Sequence, residues 1–104
     1  MIDTGLNNSD IEKIKNVFGL YSELEKVVVY GSRAKGTYKP ASDIDLTLVG
    51  TNMNLSIQQK MESDLDDLML PYKFDISIYH QISNRELIEH IERVGKILFI
   101  SNSR

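Results

Sequence analysis

Cysteine is absent from this sequence, which excludes a disulfide framework, a thiolate zinc site and a cysteine nucleophile together. A long apolar run is missing too. The first twenty residues carry Asp3, Asp10 and Glu12 among their apolar positions, which fits neither a signal peptide nor a membrane span, so a cytoplasmic setting is expected. Nor is there an excess of positive charge. With a formal net charge of -3 and a pI near 5.3, the chain has no overall attraction for phosphate backbones, and direct nucleic-acid binding is not expected. The biases of disordered or collagen-like chains are also lacking, because 41% of residues are apolar and 26% charged. No internal repeat or linker interrupts the 104 residues, so a single domain over 1–104 is expected, with 1–7 as a short tail. A domain of this size buries roughly two-thirds of its unfolded surface without covalent staples.

What is present is periodicity of two kinds. Ile11, Ile14, Phe18 and Tyr21 recur at helical spacing behind Ser9 and Glu12, which make the S-x-x-E spacing of a capping box. Val27 to Tyr30 is a short β-branched run, and Ile44, Leu46 and Leu48 alternate with Asp45, Thr47 and Val49, so two strands are expected. Between them, Gly31 to Ser42 has the composition of a turn, one helical turn and an exposed loop. Ser56 and Gln59 open a second helix with Ile57, Met61, Leu65 and Leu68 on one face, stopped before Pro71. Phe74, Ile76 and Ile78 alternate with Asp75, Ser77 and Tyr79 in a third strand. Ser83 and Glu86 open a third helix whose buried face is Leu87, Ile88 and Ile91. Gly95 is placed to end it in a left-handed cap, before a closing strand over Lys96 to Ile100. This order predicts an α+β (mixed α/β) fold, a mixed sheet with helices packed mainly on one face and the other face left for a site.

The chemistry is expected at Gly31 and Ser32, then, after ten intervening positions, Asp43 and Asp45, and finally Asp75 on the next strand. Alone, a Gly-Ser pair is ordinarily a turn and a D-x-D pair ordinarily faces solvent. Together they specify more. Asp43 and Asp45 lie two apart at the head of an extended segment, so both carboxylates emerge on one face, where their repulsion is relieved by a hard divalent cation such as Mg²⁺. Asp75 follows a strand-helix-strand connection, the usual route to a parallel neighbour, and becomes a third ligand. Gly31 permits close backbone approach, Ser32 offers an amide and a hydroxyl to triphosphate oxygens, and Arg33 and Lys35 are candidates to neutralise the departing pyrophosphate from a mobile loop.

The string VVVYGSRAKGTYKPASDIDLTLVG, with its G-S-x10-D-x-D spacing, resembles the signature of the minimal nucleotidyltransferases, small stand-alone members of the DNA polymerase beta-like superfamily. The similarity runs from the first helix to the closing IEHIERVGKILFI. The resemblance implies the nucleotidyltransferase fold, ATP as nucleotide donor, and two Mg²⁺ ions held by Asp43 and Asp45. It also implies that Asp75 ligates the catalytic ion and helps deprotonate an acceptor hydroxyl that attacks the α-phosphorus in line. A further implication is a partner of the HEPN type, an all-helical ribonuclease toxin, which this chain would adenylylate as its antitoxin. Two rivals stand beside it: transfer to a small-molecule acceptor, and a non-catalytic antitoxin that works by occlusion. The short chain favours an acceptor carried by another protein, since little remains to build an acceptor pocket.

His80 and His90 stand at no recognised metal spacing and read as structural. Asp64, Asp66 and Asp67 read as a solvated helix face, and Tyr38 and Lys39 as loop packing beside Pro40.

Overall fold

Alternation of apolar and polar residues along the strands gives the sheet two chemically different faces. The computed structural model describes residues 4–101. Its elements run α1 (Asn8–Phe18), β1 (Lys26–Tyr30), α2 (Gly31–Lys35), β2 (Ile44–Val49), α3 (Leu55–Asp66), β3 (Phe74–Ile78), a 3-10 turn (Tyr79–Gln81), α4 (Arg85–Val94) and β4 (Lys96–Ile100). The mixed α/β class and the closing strand are as the periodicity predicts. No helix among the described residues is long and apolar enough to cross a membrane.

The strands form one sheet in the order β3-β2-β1-β4. β1 runs antiparallel to β2 and β4, whereas β2 and β3 are parallel, as the crossover through α3 requires. Val27 and Val29 lie opposite Leu48 and Leu46, which lie in turn opposite Ile78 and Ile76, so one face is continuously apolar. Ile14, Val17 and Phe18 of α1 and Met61 and Leu65 of α3 close over it. Ile44, Leu46 and Leu48 are fully inaccessible, and each buried side chain of this size contributes about 1.5–3 kcal/mol. The fold is held from this side, which leaves the other side able to carry charge.

α4 lies on that second face. Gly95 follows it with φ -62 and ψ 144, an extended conformation rather than the expected left-handed cap. Glycine is needed there for a different reason: an added Cβ would run into the Ile91 carbonyl and the Val28 side chain, where the chain leaves α4 to enter β4.

The three longer helices are capped by asparagine, not by the serines of the S-x-x-E/Q spacings. Asn7, Asn54 and Asn84 accept from the amides of Asp10 (2.8 Å), Ile57 (2.9 Å) and Leu87 (3.1 Å). Ser9 and Ser56 lie inside the first turns, and Ser83 lies just before its cap. The N-terminal segment is also less loose than a tail. Residues 1–3 lie outside the described residues, but Thr4 is buried and its carbonyl accepts from Arg33.

Tyr21 follows α1, and its hydroxyl donates to Asp64 of α3, so one member of the acidic run has a structural task. Burial first, then that hydrogen bond, push the Tyr21 hydroxyl up to about 12 from the ordinary 10.0. A folded-state pKa above the unfolded one means that the stabilisation is complete below pH 10 and is lost as pH rises towards 12. Tyr30, Tyr72 and Tyr79 shift in the same direction, so the diagnostic quantity is a difference between variants. Chemical denaturation of wild type and Tyr21→Phe should show the wild-type advantage constant up to pH 10 and shrinking above it. An advantage that grows with pH would contradict this assignment.

Candidate active site

The site grows from the ends of three adjacent strands. At the end of β1 the chain turns through Gly31 at φ 72 and enters the short α2. Glycine is favoured here, because this φ disfavours a side chain and an added Cβ would overlap Asp45 Oδ2 where that carboxylate now lies. The turn and the carboxylate are therefore packed directly against each other.

Register brings in the rest. Tyr30 is the cross-strand partner of Asp45, and Asp45 is the partner of Asp75 on parallel β3. Adjacent strands lie about 5 Å apart, so the two carboxylates emerge side by side on one face. Asp43, two residues earlier and just ahead of β2, is exposed at the same end, as is Asp75, while Asp45 is half-buried. Sequence spacing alone proposes this meeting of Gly31, Asp43, Asp45 and Asp75, and the sheet register provides it.

The charges are felt across the group. Burial, then Asp75 and then Asp43, raise the Asp45 carboxyl above the ordinary carboxylate range. Burial raises the Tyr30 hydroxyl, with Asp75 and Asp45 adding to it, against a lowering hydrogen bond to Ser77. Among the described residues no group of three or more His, Asp or Glu side chains is arranged to hold a metal ion by itself. An all-carboxylate donor set with mutual repulsion nonetheless fits a hard divalent cation that completes its coordination with substrate phosphate and water.

A Gly-Ser turn beside three strand-end carboxylates has the donor types that phosphate and a hard cation require, and comparison with known proteins gives the chain a family. The family model described as polymerase beta, nucleotidyltransferase matches residues 12–104. The chain belongs to that family. This nucleotidyltransferase is 35% identical over 86 residues to a Methanocaldococcus jannaschii chain provisionally named a protein adenylyltransferase, covering 73% of this chain and 70% of the other. Among solved structures it is similar to a toxin-antitoxin with AMP-PNP, with a TM-score of 0.69, 19% identity, and coverage of 93% of this chain and 76% of that one. It is also similar to a Shewanella oneidensis complex of tri-AMPylated HEPN toxin with MNT antitoxin, with a TM-score of 0.67, 14% identity, and coverage of 92% and 74%. At these identities the solved structures establish the shared fold, which is the nucleotidyltransferase fold expected from the sequence.

Within the nucleotidyltransferase, the cations of α2 divide. Lys35 is exposed and Ser32 half-buried. Arg33 is not the mobile-loop cation expected from its position: it is 1% exposed, and its guanidinium donates to the carbonyls of Thr4 (2.8 Å), Ser42 (3.0 Å) and Pro40 (3.3 Å). Tyr38 and Tyr72 stack on it, with their ring centroids 5.3 and 5.4 Å from its central carbon. The loop carbonyls outcompete solvent for this charge because the two rings exclude water from it. Since Ser42 immediately precedes Asp43, Arg33 holds the loop that delivers the first carboxylate. Arg33→Met should leave three carbonyls without their charged donor and lower stability by about 3 kcal/mol or more in denaturant unfolding. A loss under half of that would contradict the clamp.

His90 has the structural role expected of it, and the structure supplies the partners that the sequence does not name. Its Nε2 accepts from the Gly31 amide at 3.2 Å, and its ring meets Tyr30 edge-on at 6.0 Å between centroids. No spacing signal marks it, because the contact depends on how α4 docks.

Proposed function

We propose that this nucleotidyltransferase moves AMP from ATP to a hydroxyl on a helical partner toxin of the HEPN type, and so acts as the antitoxin of that pair. The observation that carries the reading is the lateral register Tyr30-Asp45-Asp75 with Gly31 packed on Asp45, which gathers a phosphate-binding turn and three carboxylates at one sheet end. Supporting it are the name of the Methanocaldococcus jannaschii relative, the AMP-PNP held by one neighbouring complex, and the AMP groups carried by the toxin of another.

In this reading Asp43, Asp45 and Asp75 would hold the Mg²⁺ that the reaction uses, two ions in the arrangement that the resemblance implies. When bound, the metal supplies positive charge against the phosphoryl oxygens and makes the acceptor hydroxyl easier to deprotonate. Ser32 and the Gly31 turn orient the triphosphate, and Lys35 offsets charge as it moves onto pyrophosphate. Asp75 takes the hydroxyl proton as the acceptor oxygen bonds to the α-phosphorus, and the bond from that phosphorus to the pyrophosphate oxygen breaks in line. A reaction fed by ATP suits the cytoplasm.

Transfer to a small molecule is less well supported. A cleft of about 350 Å³ on the same sheet face is lined by Lys26, Val28, Val49 and Ile91, towards the opposite end of the strands from Asp45. Occlusion without chemistry gives no role to three like charges crowded together. Co-expression with the cognate partner tests all three readings: the partner should gain the mass of one or more AMP groups. An unmodified partner that is still neutralised would establish occlusion instead.

A further inference from the structure

The Gly31 amide is the first donor of the turn assigned to triphosphate, and it is already engaged. It points at His90 of α4, 59 residues later in the chain, and Nε2 accepts it at 3.2 Å. To accept, Nε2 must be the bare nitrogen, which leaves the ring proton on Nδ1. The same ring sits edge-on to Tyr30, the residue before the turn, with planes 80° apart. His90 thus grips the turn at two consecutive residues. On the other side of the turn, the missing Cβ of Gly31 makes room for Asp45 Oδ2.

We infer that His90 is a positioning residue for nucleotide binding: by holding the Gly31 amide and packing on Tyr30, it fixes the Gly-Ser turn against Asp45 so that Ser32 meets the phosphates. Gly31 at φ 72 has few steric limits of its own, and glycine pays the largest entropy to be ordered, so an external anchor is what keeps the turn in one conformation. α4 supplies that anchor from an element that carries none of the site's carboxylates. The seat of α4 on the sheet therefore becomes part of the nucleotide site. This rests on the nucleotidyltransferase reading of the turn, but the anchoring hydrogen bond is measurable without any reaction.

The experiment compares the full chain with His90→Ala and His90→Gln, the second keeping an acceptor that can reach the amide. Gly31 amide exchange by NMR reads the bond, and calorimetry with Mg²⁺ and AMP-PNP reads binding. In His90→Ala, Gly31 should exchange about tenfold faster and affinity for AMP-PNP should fall by about 3- to 10-fold, the scale of one part-buried hydrogen bond. In steady-state transfer the loss should lie in KM for ATP, with kcat within about twofold of wild type. His90→Gln should recover most of both. Unchanged Gly31 exchange or unchanged affinity in His90→Ala overturns the inference, and so does a Gln variant as impaired as the Ala one. A wild-type chain that protects Gly31 yet binds no AMP-PNP contradicts the nucleotide reading of the site, while leaving the hydrogen bond in place.

Discussion

Asp45→Asn is expected to lower nucleotide transfer by on the order of 10³-fold or more while the far-ultraviolet circular dichroism stays native. Asparagine has nearly the same shape, so the fit against Gly31 is kept, but the charge that answers a divalent cation and the developing phosphoryl centre is gone. Stability should hold or rise. Asp45 lies in a half-buried position beside Asp75 and Asp43, and these raise its carboxyl above the ordinary range, so the ionised group opposes folding at neutral pH. Transfer measured with the cognate partner and thermal unfolding measured in EDTA check the two halves separately. A variant that loses activity together with its fold would make Asp45 a structural residue, and one that keeps wild-type transfer would remove it from the chemistry.

Gly31→Ala should damage the reaction out of proportion to the fold. The methyl group would overlap Asp45 Oδ2 and would hold an alanine at φ 72, where the left-handed conformation costs roughly 1–2 kcal/mol. The clashing atom is the end of a short side chain at an open face. It can rotate away, which limits the loss of stability and moves the carboxylate that has to stay. A displacement of about 1 Å in such a group can cost on the order of 10²-fold in rate. Activity should therefore fall about 100-fold while unfolding free energy falls by no more than about 3 kcal/mol. Equal transfer rates in wild type and Gly31→Ala would mean that the turn and Asp45 are not coupled.

Much of this site is legible in the sequence because it depends on spacing within strands and on connections of known geometry. Asp43 and Asp45 share a face because they are two residues apart, and the apolar partners Leu46 and Ile76 fix the register that sets Asp45 beside Asp75. The parallel pairing of β2 and β3 follows from the helix between them. What spacing does not carry is competition among chemically similar groups. Ser9, Ser56 and Ser83 each have an acidic or amide residue three positions on, yet Asn7, Asn54 and Asn84, one or two positions away, hold the cap positions from an extended backbone and accept from the amides of Asp10, Ile57 and Leu87 instead.

The burial of Arg33 and the partners of His90 are not legible for a second reason. In sequence Arg33 is a cation beside a phosphate-binding turn. Its fate is decided by Tyr38 and Tyr72, which close over it, and by three carbonyls that need a donor. His90 has an equally remote cause, since its partner is a backbone amide, a group that every residue but proline possesses and that no sequence pattern singles out. Packing between distant elements sets both contacts, and local periodicity is silent on it.

The isotope position in ATP tests nucleotide transfer most directly. Purified chain, cognate partner and Mg²⁺ are incubated in parallel with ATP labelled in the α-phosphate and ATP labelled in the γ-phosphate, each with Asp45→Asn as control. The α-label should appear on the partner and the γ-label only in released pyrophosphate, with neither transferred by the variant. Transfer of the γ-label to the partner, or α-label transfer that survives in Asp45→Asn, would contradict nucleotidyl transfer by these carboxylates.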